Sequence, residues 1–95
     1  MDEVEYYFDP EKNAFLKEKR GISFEEIILL IEEGYLLKVM KHPNFVKYPH
    51  QEFYVIDVEG YAYLVPFVRD GNKIYLKTIF PSRKATQALL GKRRR

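Results

Sequence analysis

The side chains with the most chemical potential in this sequence lie toward its C-terminal end. Lys73, Tyr75 and Lys77 alternate along an apolar run, and Arg83 and Lys84 follow the junction Phe80-Pro81-Ser82. Alternation puts Lys73, Tyr75 and Lys77 on one face of a strand. Two ammonium groups around a phenol suit a ligand built of phosphates and flat rings, with the tyrosine stacking a base or orienting a phosphate. Pro81 ends a strand and Ser82 is a good N-cap, so Arg83 and Lys84 fall in the first turn of a helix. Cations there oppose the helix dipole, and a docked phosphate would remove the conflict. Arg83 has the planar fork for bidentate phosphate contact, and of the neighbours Arg83 and Lys84 one must face away. His50, at the mouth of a strand, is the first choice for a general acid or base and His42 the second, because histidine titrates near neutrality unperturbed.

Composition bounds what this chemistry can be. The chain has no cysteine, which excludes disulfides, thiolate zinc sites and cysteine nucleophiles. Two histidines argue against a transition-metal site, and no metal or other cofactor is implied. Glycine-rich phosphate loops, paired carboxylates and serine nucleophile motifs are missing, so NTPase, glycosidase and hydrolase chemistries have no support. Ninety-five residues with 46% apolar content make one domain over 1–95. No stretch reaches the roughly 18 apolar residues of a membrane span. The acidic start Met1-Asp2-Glu3-Val4-Glu5 is unlike a signal peptide, so the expected location is the cytoplasm. The net charge of +2 hides a polarity of −6 over residues 1–34, 0 over 35–70 and +8 over 71–95. A polyanion, or an acidic protein, is the partner this asymmetry implies.

The elements that must position these groups are legible. Residues 4–8 read as a strand. Asp9-Pro10-Glu11 opens a helix that Gly21 closes, with Phe15 and either Ala14 or Leu16 facing the core. Ser23 and Glu26 form a capping box, and Ile22 and Ile27 a hydrophobic staple, for a second helix that buries Ile27, Ile28, Leu30 and Ile31 and ends at Gly34. A strand over 35–40 and a polar loop over 41–50 precede a meander of 51–58, 61–68 and 73–80. Two-residue turns at Glu59-Gly60 and Asp70-Gly71 set Val58 opposite Tyr61 and Arg69 opposite Asn72. One sheet face then holds Tyr54, Ile56, Tyr63, Val65, Phe67, Ile74, Leu76 and Phe80 against the helices. The other holds Phe53, Val55, Leu64, Pro66, Tyr75, Lys77 and Ile79, too apolar at its centre to face water, so that a last helix over 83–90 and a partner protein at Phe53 and Leu64 share it. Pro66 is the weak point of this register, since proline favours an edge or a bulge. The expected fold is α+β: two N-terminal helices packed on a small antiparallel sheet of four to five strands, with a short C-terminal helix.

Three blocks, Asp9-Pro10-Glu11-Lys12-Asn13, Lys19-Arg20-Gly21-Ile22-Ser23-Phe24-Glu25-Glu26 and Ser82-Arg83-Lys84-Ala85-Thr86, resemble in order the motifs of the BrnT toxins of bacterial type II toxin–antitoxin systems. The resemblance implies a RelE-like fold and a cytoplasmic ribonuclease that arrests growth. It also implies a cognate antitoxin that inhibits by forming a hetero-oligomer and links the toxin to DNA only through itself. Metal-independent RNA cleavage needs a base for the 2′-hydroxyl, cations for the phosphorane-like charge and an acid for the leaving oxygen. The groups available are Arg83, Lys77 and His50 for catalysis, Lys84, Tyr75 and Lys73 for RNA contact, and Phe53 and Leu64 for the antitoxin. Thr78 and Leu89 stand where the family often has Arg and Glu, and Arg20 where it has His, changes that bear on catalysis more than on fold. A non-catalytic RNA-binding or antitoxin-binding module on the same scaffold is the alternative.

Overall fold

A computed structural model describes residues 3–91, and the basic stretch 92–95 lies outside the described residues. The chain runs β1 (Glu5–Tyr7), α1 (Pro10–Arg20), α2 (Phe24–Glu32), β2 (Leu36–Lys41), β3 (Gln51–Val58), β4 (Tyr61–Asp70), β5 (Lys73–Leu76), β6 (Phe80–Pro81) and α3 (Arg83–Leu89). The sheet order is β1-β5-β4-β3-β2, with β6 also on β4. The class is α+β, with two corrections to the expected sheet. Among the described residues it has six strands rather than four or five, and it is mixed, because β1 returns to lie parallel beside β5.

The helix pair forms as its caps dictate. Asp9 Oδ1 accepts from the Glu11 amide, Gly21 closes α1 with a φ of 68°, and Ser23 Oγ accepts from the Glu26 amide at 3.1 Å. The inward face of α1 differs from expectation. Leu16 and Asn13 are buried, whereas Phe15 is 47% exposed. Asn13 bonds across the turn: its Oδ1 accepts from the Phe24 amide and its Nδ2 donates to Glu25 Oε1, each at 2.8 Å. The Phe24 amide belongs to the first turn of α2 and is buried, so it has no partner within its own helix. The Asn13 bond is also the chief reason the Glu25 carboxyl lies below the usual range. Behind this junction Leu16, Phe24 and Ile27 pack on Ile56, Val65, Phe67 and Ile74. Tyr54 stacks on Phe67 with ring centroids 4.0 Å apart, and burial pushes its hydroxyl up to about 12.

The β3–β4 hairpin has the expected register, with Val58 opposite Tyr61 and positive φ at both Glu59 and Gly60. The next turn is one residue later than expected. Asp70 pairs with Lys73, so the loop is Gly71-Asn72, with Gly71 at a φ of 64°. Asn72 holds the start of β1: its carbonyl accepts from the Glu5 amide at 2.8 Å and its Nδ2 donates to the Glu3 carbonyl. Register moves by two positions here, which leaves the faces unchanged.

The last strand breaks where Pro66 faces it. Lys77 N–H donates to the Pro66 carbonyl at 2.9 Å. In an antiparallel ladder a residue's N–H and C=O point the same way, so the reciprocal bond needs a Pro66 N–H, which does not exist. Pairing resumes at Leu64 and Phe80: β4 advances three positions from Phe67 while its neighbour advances four from Leu76, a one-residue bulge. The bulge overturns the expected sides of two residues. Ile79 enters the helix-side core, and Phe80 pairs with Leu64 toward the opposite face. Arg20 donates a guanidinium hydrogen bond to the Ile79 carbonyl freed by the bulge. The β3 side of β4 is undisturbed, because the polar edge of Pro66 points to β5 and Phe53 simply lies opposite it.

α3 continues along the β4 edge. The Ser82 amide donates to the Ala62 carbonyl at 3.0 Å, and the buried Thr86 hydroxyl accepts from the Ala62 amide and donates to the Ser82 carbonyl, each at 2.8 Å. Leu90 and Ala85 then pack on Val55, Ala62 and Leu64, forming a second, smaller core on the face away from α1 and α2.

Removing the Asn13 bridge strands a buried amide. Asn13→Ala should lower the unfolding free energy by about 1–3 kcal/mol with an unchanged denaturant slope. A change below a few tenths would mean that the Phe24 amide does not depend on Asn13.

Candidate functional site

α3 covers only one end of its sheet face. Across the rest, strand registers place side chains in rows, with Tyr7, Tyr75, Val68 and Gln51 in one and Met40, Phe53 and Pro66 in the next. Lys77 falls opposite Pro66 through its backbone bond. At the β1–β5 edge lies a cleft of about 520 Å³, lined by Tyr7, Phe8, Asp9, Lys12, Tyr75, Leu76 and Lys77. The parallel pairing of β1 with β5 builds it, by bringing Tyr7 beside Tyr75 with ring centroids 5.3 Å apart and planes 24° from parallel. The exposed Tyr7 hydroxyl donates to Glu5 Oε1 at 2.7 Å, which raises its pKa from the ordinary phenol value. Asp9 reaches the cleft from the N-cap of α1, and Lys12 from its first turn, where its ammonium also lies 5.4 Å from the Phe15 ring centroid.

Of the residues singled out in the sequence, Tyr75 and Lys77 meet in this cleft. Lys73 stands one row away, opposite Glu5 on one side and Asp70 on the other. Arg83 is exposed and lines neither this cleft nor the second one described below. His50 is exposed at the end of the loop before β3 and likewise outside both. The structure thus does not gather Arg83, Lys77 and His50 in one cleft. His42 is the imidazole with packing partners: its ring lies 4.6 Å from Tyr48 and 5.9 Å from Phe53, and its Nδ1 accepts from the Asn44 amide. In the neutral ring this leaves the proton on Nε2.

α3 is seven residues long, and Ser82 Oγ already takes the Ala85 amide. What an anion would meet at that corner is therefore side-chain charge rather than a long helix dipole. Lys84 lines a second groove, of about 290 Å³, with Lys38, Met40, Leu64, Ser82, Ala85, Ala88 and Leu89. Leu64 is half-buried beneath α3, while Phe53 is half-buried on the more open part of the sheet.

Sequence reasoning missed Tyr7, Asp9 and Lys12 as site residues. Asp9 and Lys12 were legible only as parts of a helix start, and nothing local in the sequence says that residues 5–7 pair with 73–75. Among the described residues no helix is long and apolar enough to cross a membrane, and no three His, Asp or Glu side chains are grouped to hold a metal ion.

Comparison with protein-family models, curated proteins and solved structures finds no match to this chain.

Phe53 and Leu64 should now part company on substitution. Leu64→Asp puts a carboxylate into the second core and should cost about 2–5 kcal/mol, whereas Phe53→Asp should cost about half as much or less. Equal losses in thermal unfolding would show that α3 does not shield Leu64.

Proposed function

We propose that this protein is a RelE-like, toxin-type ribonuclease that takes single-stranded RNA into the cleft between β1 and β5. One observation carries this: two stacked tyrosines, Tyr7 and Tyr75, line a single open cleft together with two lysines, Lys12 and Lys77. Aromatic faces accept any base at about 1–3 kcal/mol per stack, and ammonium groups beside them hold the phosphates that link successive nucleotides. Arrangement in rows gives the strand a path from Tyr7 and Tyr75 toward Lys77.

Cleavage at this site uses the carboxylate present in it. Asp9 takes the 2′-hydroxyl proton, the new 2′-oxygen attacks phosphorus, and Lys12 and Lys77 neutralise the charge that gathers on the phosphoryl oxygens. The P–O5′ bond breaks as one of the two ammonium groups gives its proton to the leaving oxygen, leaving a cyclic phosphate. As the toxin half of a pair, the protein has an apolar remainder on the same sheet face for its partner. A second reading, binding without turnover, is favoured by the position of His50 and Arg83 outside the cleft.

The test is cleavage of a defined RNA in excess EDTA, with binding measured in parallel. Lys77→Ala and Lys12→Ala should each weaken binding and reduce the salt dependence by about one counterion. Asp9→Asn keeps an equally good N-cap, so it should bind normally while cleaving about 10²–10⁴-fold more slowly. RNA bound but uncut by the wild type would establish the non-catalytic reading. Binding untouched by all three substitutions would remove RNA from this cleft altogether.

A further inference from the structure

The second groove shares no lining residue with the β1–β5 cleft. Its floor is Met40, Leu64, Ala88 and Leu89, its rim is Lys38 and Lys84, and no carboxylate lines it. Met40 and Leu89 are 37% and 38% exposed, so the floor is open to contact. It runs on into the apolar row of Met40, Phe53 and Pro66 across the sheet.

We infer that this groove docks an amphipathic helix of a protein partner, one that presents an apolar stripe between acidic flanks. An apolar floor between two ammonium groups matches a helix carrying Leu or Ile at i, i+3, i+4 and i+7 with Glu or Asp beside them. Charge selects against basic segments, which would set like charge against Lys38 and Lys84. An added strand on β2 is disfavoured, because that edge carries Lys38 and Lys41 and is bulged between Leu36 and Lys38, features that protect an edge from pairing. A second copy of this chain does offer acids, at Glu25, Glu26, Glu32 and Glu33 beside the exposed Leu29. Its α2 is a different surface from the groove, so the contact would be head-to-tail and would either close into a ring or grow without end. A separate acidic chain has no such requirement. The inference fills the partner half of the proposed toxin pair and does not depend on the RNA half, since none of the groove residues lines the RNA cleft.

The probe is a four-turn, fluorescein-labelled peptide with a Leu stripe and Glu flanks, titrated against the full chain at physiological salt, beside the same peptide with Lys in place of Glu. The Glu peptide should bind at least about tenfold more tightly, and the Lys38→Glu/Lys84→Glu double variant should reverse that preference. Leu89→Asp, with an unchanged melting temperature, should abolish binding of both peptides. RNA affinity of Leu89→Asp should stay within about threefold of the wild type, which separates failure of the groove from failure of the cleft. Absence of binding, a preference that survives the charge swap, or binding indifferent to Leu89→Asp would overturn the inference. So would concentration-dependent self-association of the wild type that the double variant abolishes, since the occupant would then be a second copy.

Discussion

One absent hydrogen-bond donor, the nitrogen of Pro66, organises the part of the sheet where β4 meets β5 and β6. Because Pro66 turns its polar edge to β5, the loss falls on the seam with Lys77 and leaves the seam with β3 intact. The strand answers with one extra residue, and three consequences follow. Lys77 ends the regular pairing of β5 at the mouth of the Tyr7–Tyr75 cleft, Ile79 turns into the core, and Phe80-Pro81 brings the chain back onto β4 in the register that starts α3. A bulge is a common way to re-aim one side chain without dismantling a sheet.

Polar side chains complete what the backbone leaves open, and they account for much of the three sequence blocks. Asn13 supplies an acceptor to the first turn of α2, Arg20 supplies a donor to the bulge carbonyl, and Thr86 stands in for the strand that β6 is too short to continue. Asp9, Ser23 and Ser82 each cap a helix. Once these roles are assigned, Lys12 in the first block and Arg83 and Lys84 in the last are cations without a structural duty. Lys12 lines the β1–β5 cleft and Lys84 the second groove, so these two cations serve separate surfaces.

What could be read from the sequence was what local physics decides. The helix N-caps Asp9, Ser23 and Ser82, the first hairpin register and the period-two faces up to Leu76 are set by residues near one another in the chain, and each appears as expected. Pro66 announced trouble in the right strand, but whether proline yields an edge or a bulge depends on which neighbour its nitrogen faces, which no pattern in the sequence states. The side assignments of Ile79 and Phe80 failed for that reason. The pairing of β1 with β5 joins residues as far apart in the chain as Glu5 and Lys73, and with it came Tyr7, Asp9 and Lys12. Asn13 was hidden because a buried asparagine in a helix looks, by composition, like a surface one.

The most direct test restores the missing donor. In Pro66→Val, amide hydrogen exchange followed by NMR reports whether the new backbone N–H gains a hydrogen bond to β5, and titration with a short single-stranded RNA reports whether Lys77 still serves the cleft. Slow exchange of the introduced amide together with RNA binding weakened about tenfold would show that the proline shapes the site through the bulge. Fast exchange of that amide would contradict the account, and so would a protected amide with unaltered RNA affinity.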